Sequence, residues 1–381
     1  MHKIYAMKGL YIHIPFCKSR CIYCSFYSTT GGQQQEYLDA LDREMSLRHD
    51  ELTASPIRTL YIGGGTPSVL SSGQLQQLFA SIRRHIPHFQ PAEITVECNP
   101  DDMDDSLARL LAELGINRVS MGVQTFDDRR LAFIHRRHSA VGAKQAVASL
   151  RRAGVRNISI DLIYGFPGQT LAQWDEDIRQ ALSMDVEHLS AYSLSYEEGT
   201  ALYRMLEEER IQPLDEEICR QMFEQLVDRL TAAGYEHYEI SNFAKVGFRS
   251  LHNSSYWQGI PYIGLGAAAH SFDGNSRCWN VSDVTAYIRG MKAGIPQMEH
   301  ELLTAESKYD EAIMLGLRTR EGINLELLER CHGKDKKAYC LRQARRFLSN
   351  GELKLEDGFL KLSRQGIFVS DMVMSELFSE S

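Results

Sequence analysis

Cys17, Cys21 and Cys24 make the densest concentration of reactive side chains in the chain, spaced Cys-x3-Cys-x2-Cys within Pro15-Phe16-Cys17-Lys18-Ser19-Arg20-Cys21-Ile22-Tyr23-Cys24. Three thiolates this close can hold one metal centre from a single loop. Structural zinc and a fully protein-ligated [4Fe–4S] cluster each take four ligands. Two chemistries therefore stay open. His13 could complete a zinc site, or three thiolates on a cubane could leave one iron open for a small molecule. The other five cysteines, Cys98, Cys219, Cys278, Cys331 and Cys340, are scattered and read as reduced, mostly buried thiols.

The elements that must position this loop show in the apolar pattern. Short apolar runs alternate with helical stretches, which predicts strands over 9–14, 58–62, 93–97, 118–123, 157–163 and 188–195. Helices are expected over 34–49, 75–86, 106–114, 140–153, 171–184 and 216–233, several closed by glycine. Six β-α units with short connections imply a parallel sheet with helices outside, and ligands at the C-terminal ends of the strands. The cysteine loop follows the first strand, at such an end. A further strand is expected at 235–240, and from about Val284 the rhythm stops. Helices at 306–317, 325–331 and 338–349, a hairpin at 351–362 and a final helix at 363–374 suggest a small winged-helix-like C-terminal domain.

Composition narrows the class. The 381 residues are 43% hydrophobic and 24% charged, as in ordinary globular proteins. Net charge is −8, and the basic clusters, such as Arg129-Arg130 and Arg345-Arg346, are short solvated faces, so nucleic acid is not expected as a partner. No apolar run approaches the ~18 residues of a membrane span. The N-terminal residues lack the apolar core of a secretion signal, so a cytoplasmic location is expected.

The cysteine spacing resembles the signature of the radical S-adenosylmethionine (radical SAM) superfamily, which implies a partial (β/α)6 barrel whose open iron chelates SAM. Tyr23 then falls where the superfamily places an aromatic residue near the adenine. Gly63-Gly64-Gly65-Thr66-Pro67, after the second strand, matches the turn that grips the SAM amino group, and its glycines would offer N–H donors. Glu97 ends the third strand and is expected on the ribose hydroxyls. Gln124 ends the fourth, Arg136 is expected on the SAM carboxylate, and Asp161 is a charged residue inside an apolar strand that needs a partner. Tyr11, on the first strand, joins these cofactor-binding candidates.

Gly122-Val123-Gln124-Thr125-Phe126 and the ten-residue run Asp161-Leu162-Ile163-Tyr164-Gly165-Phe166-Pro167-Gly168-Gln169-Thr170 resemble the oxygen-independent coproporphyrinogen III oxidase family from about residue 8 to 270. That oxidase has a longer N-terminal extension and a fourth cysteine, where this chain has Phe26. Both departures match the HemW-type heme chaperones of the same family, as does His252-Asn253-Ser254-Ser255-Tyr256-Trp257. The resemblance implies heme as a ligand, with His252 as the expected axial residue; separately, His270, in a small, glycine-rich segment that suits close packing over a cofactor, is a weaker second ligand candidate. It further implies delivery of heme to acceptor proteins such as respiratory enzymes, an unidentified electron donor, and a homodimer as one assembly. Coproporphyrinogen decarboxylation is the alternative activity. The expected division is a core barrel at 1–240, a linker with the His-Asn-x-x-Tyr-Trp motif at 241–295, and a C-terminal domain at 296–381.

Overall fold

The computed structural model describes residues 7–379; most of the N-terminal stretch on which the expectation of no leader rests lies outside them. Six parallel strands run side by side in chain order: β1 (Lys8–Ile14), β2 (Ile57–Gly64), β3 (Glu93–Cys98), β4 (Arg118–Gln124), β5 (Asn157–Tyr164) and β6 (His188–Ser193). Their outward residues, among them Leu10, Ile12, Leu60, Ile62, Val96, Val119, Ile160 and Leu189, are almost completely buried. They pack against the intervening helices in one continuous core, as a sheet covered by helices requires. Local signals set the helix starts. Ser71 with Gln74 and Thr170 with Gln173 form reciprocal capping boxes.

The expected strands and helices of this half are all present, within a few residues. The segment expected as a linker is different. Residues 251–257 form a helix, and β9 (Tyr262–Leu265) pairs in parallel with the free side of β1. An antiparallel ribbon of β10 (His270–Phe272), β11 (Ser276–Asn280) and β12 (Met298–Leu302) extends from it. At the other edge, β8 (Asn242–Ala244) pairs with β6 and β7 (Glu236–Glu239) with β8, both antiparallel. The result is one 12-stranded sheet, order β12-β11-β10-β9-β1-β2-β3-β4-β5-β6-β8-β7.

Glu44, fully buried on the helix Gln34–Leu47, ties the added ribbon to the parallel half. Its carboxylate accepts from Gly266 N–H (2.8 Å), Asn280 Nδ2 (2.7 Å) and Tyr287 Oη (2.6 Å), and pairs with Arg48 (3.4 Å). Arg48 in turn donates to Gly264 O (2.8 Å) and Ser271 Oγ (3.1 Å).

The C-terminal lobe has its own core, including Tyr309, Phe347, Leu360 and Val373. Helices Ala305–Leu317, Leu325–His332 and Lys334–Asn350 pack with a three-stranded sheet of β13 (Ile323–Asn324), β14 (Leu353–Glu356) and β15 (Phe359–Leu362). The single last helix expected at 363–374 is two, Arg364–Ile367 and Ser370–Leu377. Among the described residues no helix is long and apolar enough to cross a membrane.

Candidate functional site

The cysteine loop leaves β1 at its C-terminal end and is held from two sides. Phe16 is buried edge-on against Tyr37, and Cys17 N–H donates to Thr29 O (2.9 Å). Ile22 plugs a small apolar cluster with Ile134, Ile163, Phe166, Leu194 and Leu202 above the strand ends. Cys17 Sγ lies 3.4 Å from Thr66 Oγ1, and Arg136 Nη1 lies 3.6 Å from Cys21 Sγ. No three metal-ligating side chains among the described residues converge on a single ion. His13, the candidate fourth zinc ligand, is committed elsewhere, with Nδ1 2.9 Å from Tyr11 Oη and Nε2 3.0 Å from Tyr27 O.

The Gly63–Gly64–Gly65–Thr66 turn is pinned beneath the loop. Gly65 N–H donates to Ile14 O (2.9 Å), Thr66 N–H to Phe16 O (2.8 Å) and Gly64 N–H to Glu97 Oε2 (3.1 Å). The expected N–H donors at Gly64, Gly65 and Thr66 are therefore already used; a SAM ammonium needs acceptors instead, which a glycine turn presents as carbonyls. Gly64 has φ +108°, and a Cβ there would run into the His13 imidazole. Its glycine identity is thus fixed by both backbone and packing.

Alternation puts the polar residues of the strands on the concave face. Glu97, Ser120, Ser159 and His188 stand in register on one rung, with Gly122, Asp161 and Ser190 above them. Glu97 Oε1 accepts from Tyr61 Oη (2.6 Å); burial, with the Asp161 charge nearby, pushes its carboxyl up to about 7. Burial also raises Asp161, against a long contact from Ser120 Oγ (3.4 Å). Gln124 adopts φ +68° and packs beside Arg136 over the Cβ-less side of Gly122. Arg136 donates to Asn99 Oδ1 (2.8 Å) and to Gly122 O. Glu97, Gln124, Arg136, Asp161 and Tyr23 thus gather at one end with the thiols, while Tyr11 sits lower, orienting His13 and stacked on Tyr61 (6.2 Å).

Arg118 escaped the sequence reading. It is 1% exposed on the rung of Tyr11, Tyr61 and Thr95, forms no ion pair among the described residues, and leaves Nε without a partner. Its signal was an arginine opening the inward series Arg118, Ser120, Gly122, Gln124.

His252 lies at the opposite end. Its helix Leu251–Trp257 starts on Glu93, whose carboxylate accepts from the N–H groups of Leu251 and His252 (both 2.9 Å). The ring is 1% exposed, with Nδ1 2.8 Å from Thr59 Oγ1 and Nε2 2.8 Å from Tyr256 Oη. It stacks on Tyr61 (5.2 Å), and burial, then the Arg118 charge, holds it down at about 3. Both ring nitrogens are hydrogen-bonded, so an iron taken up by His252 would have to displace Thr59 or Tyr256 from one of them. The motif serves here as a packed buttress at the strand N-termini.

A parallel β/α sheet whose strand C-termini carry a three-cysteine loop, a glycine turn and inward carboxylates defines a radical SAM protein. Residues 11–181 match the Radical SAM superfamily and residues 303–369 the HemN C-terminal domain. The chain is 36% identical over 378 residues to the heme chaperone HemW of Bacillus subtilis, covering 98% of this chain and all of that one. It is 32% identical to the heme chaperone HemW of Mycobacterium tuberculosis, covering 97% and 94%. The chain belongs to the HemW family of heme chaperones. Among solved structures, coproporphyrinogen III oxidase (HemN) from Escherichia coli superposes with TM-score 0.86 at 21% identity, covering 99% and 92%, which shows a shared fold. Radical SAM proteins carry a [4Fe–4S] cluster and SAM.

Proposed function

We propose that the chain is a heme chaperone: it binds heme, holds a [4Fe–4S] cluster and SAM, and passes heme to acceptor proteins. The carrying observation is the end-to-end match to curated HemW chaperones. In this reading Cys17, Cys21 and Cys24 hold the cluster. The donor set fits. The three thiols come from one loop, Arg136 brings positive charge beside Cys21, and Thr66 Oγ1 lies against Cys17. A cubane spreads its ligands over several ångströms, so they need not converge on one point. When bound, the cluster supplies one open iron and a reducing electron.

The chain's own residues do the rest. Arg136, held by Asn99 and Gly122, presents a fixed cation for a carboxylate. Glu97, Gln124 and Asp161, inward on their strands, are assigned the ribose and ammonium groups, with Tyr23 beside Cys21 and Arg136 as the aromatic partner. Phe26, 69% exposed, stands where the oxidase resemblance calls for a fourth cysteine, which disfavours decarboxylation. A cytoplasmic location and acceptors among respiratory enzymes belong to this reading. The test is transfer: anaerobically reconstituted, heme-loaded protein is mixed with an apo-hemoprotein, and the Soret spectrum of the acceptor is followed after separation. Acceptor loading faster than from free heme–albumin is expected; no heme uptake by the reconstituted protein would sink the reading.

A further inference from the structure

One turn at the C-terminal end of β4 is held in a strained shape. Thr125 N–H donates back to Val123 O (2.9 Å), which closes a three-residue turn with Gln124 at its centre, at φ +68°. This is the rare, strained form of the γ-turn. β4 also bulges here, since Gly122 pairs with Asp161 but Gln124 with Leu162. Bulges beside functional sites re-aim a side chain. The Gln124 amide folds back over the Cβ-less side of Gly122, beside the Arg136 guanidinium.

Strain of this kind persists only where the surroundings over-determine it. Two side chains outside the assigned SAM contacts do so. Asp177, on the helix Leu171–Ser183, is 2% exposed and forms no ion pair among the described residues. Its carboxylate accepts from Thr125 Oγ1 (2.9 Å) and Phe126 N–H (2.7 Å), on the two residues that follow Gln124. Thr125 Oγ1 in turn accepts from Asp127 N–H (3.1 Å). On the other side, His138 Nε2 donates to the carbonyl of Val123 (3.0 Å), the residue before Gln124, while Arg136 holds the carbonyl of Gly122. Burial, then the Arg136 charge, holds His138 down at about 4, so it is a neutral donor and adds no second cation beside Arg136. A buried carboxylate without a paired cation is costly, and so is the backbone at Gln124. Both costs fall on one turn, and the side chain that this turn aims is Gln124.

We propose that Asp177 and His138 are positioning residues: they clamp the turn 123–125 from both sides and hold the Gln124 amide beside Arg136 for SAM. This rests on the SAM-site reading above. The test is a double-mutant cycle on SAM affinity, by equilibrium dialysis of the anaerobically reconstituted full-length protein, with cluster absorbance and thermal melts alongside. Gln124→Ala and Asp177→Ala should each weaken SAM binding about tenfold at unchanged cluster absorbance, and the double variant should be no weaker than either. His138→Ala should weaken it in the same way, and His138→Gln, which keeps a donor for Val123 O, should restore it. If Asp177→Ala does not fold, Thr125→Val carries the same cycle, because it removes only the hydroxyl that joins the turn to Asp177. Losses that add in the double variant, or wild-type affinity in Asp177→Ala, Thr125→Val or His138→Ala, would overturn the clamp while leaving the SAM site intact. Wild-type affinity in Gln124→Ala would remove Gln124 from the SAM site, and a wild type that binds no SAM would overturn the site reading; either result takes the clamp with it.

Discussion

The two ends of the sheet carry opposite kinds of polar residue. At the C-terminal ends of the parallel strands, Cys17, Cys21 and Arg136 are partly exposed around a space. At the N-terminal ends, Thr59, Glu93, His252 and Tyr256 close on one another with every imidazole nitrogen and carboxylate oxygen used, and the groups left over, Arg118 Nε and Thr95 Oγ1, lie on the next rung. His252 sits beside Gly9, and Ile14 at the mouth is roughly 16 Å of strand away at about 3.3 Å per residue. A polar cluster that satisfies itself is architecture; one that leaves groups over is the place to look for a ligand.

Four substitutions test that contrast, in descending order of effect. Cys21→Ser should abolish the brown cluster absorbance after anaerobic reconstitution; a wild-type spectrum would remove Cys21 as a ligand. Glu44→Ala should cost about 3–5 kcal/mol in urea unfolding, because it strands the buried Gly266 N–H, Asn280 Nδ2 and Tyr287 Oη donors, while Arg48 keeps its pair with Glu51; a loss under 1 kcal/mol would mean that the ribbon is held by apolar packing alone. Glu97→Gln should flatten stability against pH. The folded carboxyl, raised to about 7, stays protonated where the unfolded one ionises, so its contribution is full below about pH 4.5 and is lost as pH rises through 7. Removing it should gain on the order of 2 kcal/mol at pH 8 relative to pH 5; parallel curves for the two proteins would place the raised group elsewhere. Thr59→Val should cost about 1–3 kcal/mol by stranding His252 Nδ1 without touching SAM affinity measured by equilibrium dialysis; weaker SAM binding would mean that the two ends are coupled.

Much of this was legible in the chain. The parallel half declared itself because strands buried on the helix side read as apolar runs, and because Cys17, Gly64, Glu97 and Gln124 each fall at a strand end. The ribbon was hidden. β9, β10 and β11 are three to five residues long and broken by Gly266 and Gly274, so no alternation could build up, and the segment read as a glycine-rich loop. The His252 motif named residue types but not their direction. That Thr59 and Glu93, more than 150 residues earlier, would absorb its hydrogen bonds follows only from register. The turn glycines were found, yet not that their N–H groups are spent on Ile14, Phe16 and Glu97.

The proposed function has this fold carry heme instead of converting a heme precursor. One anaerobic experiment meets it directly: protein with a demonstrably intact cluster, SAM and a low-potential reductant is given coproporphyrinogen III or heme, and the porphyrins are resolved by chromatography. Stoichiometric heme retention and no decarboxylated product are expected. Protoporphyrinogen accumulating over many turnovers would contradict it and make the chain an oxidase despite Phe26.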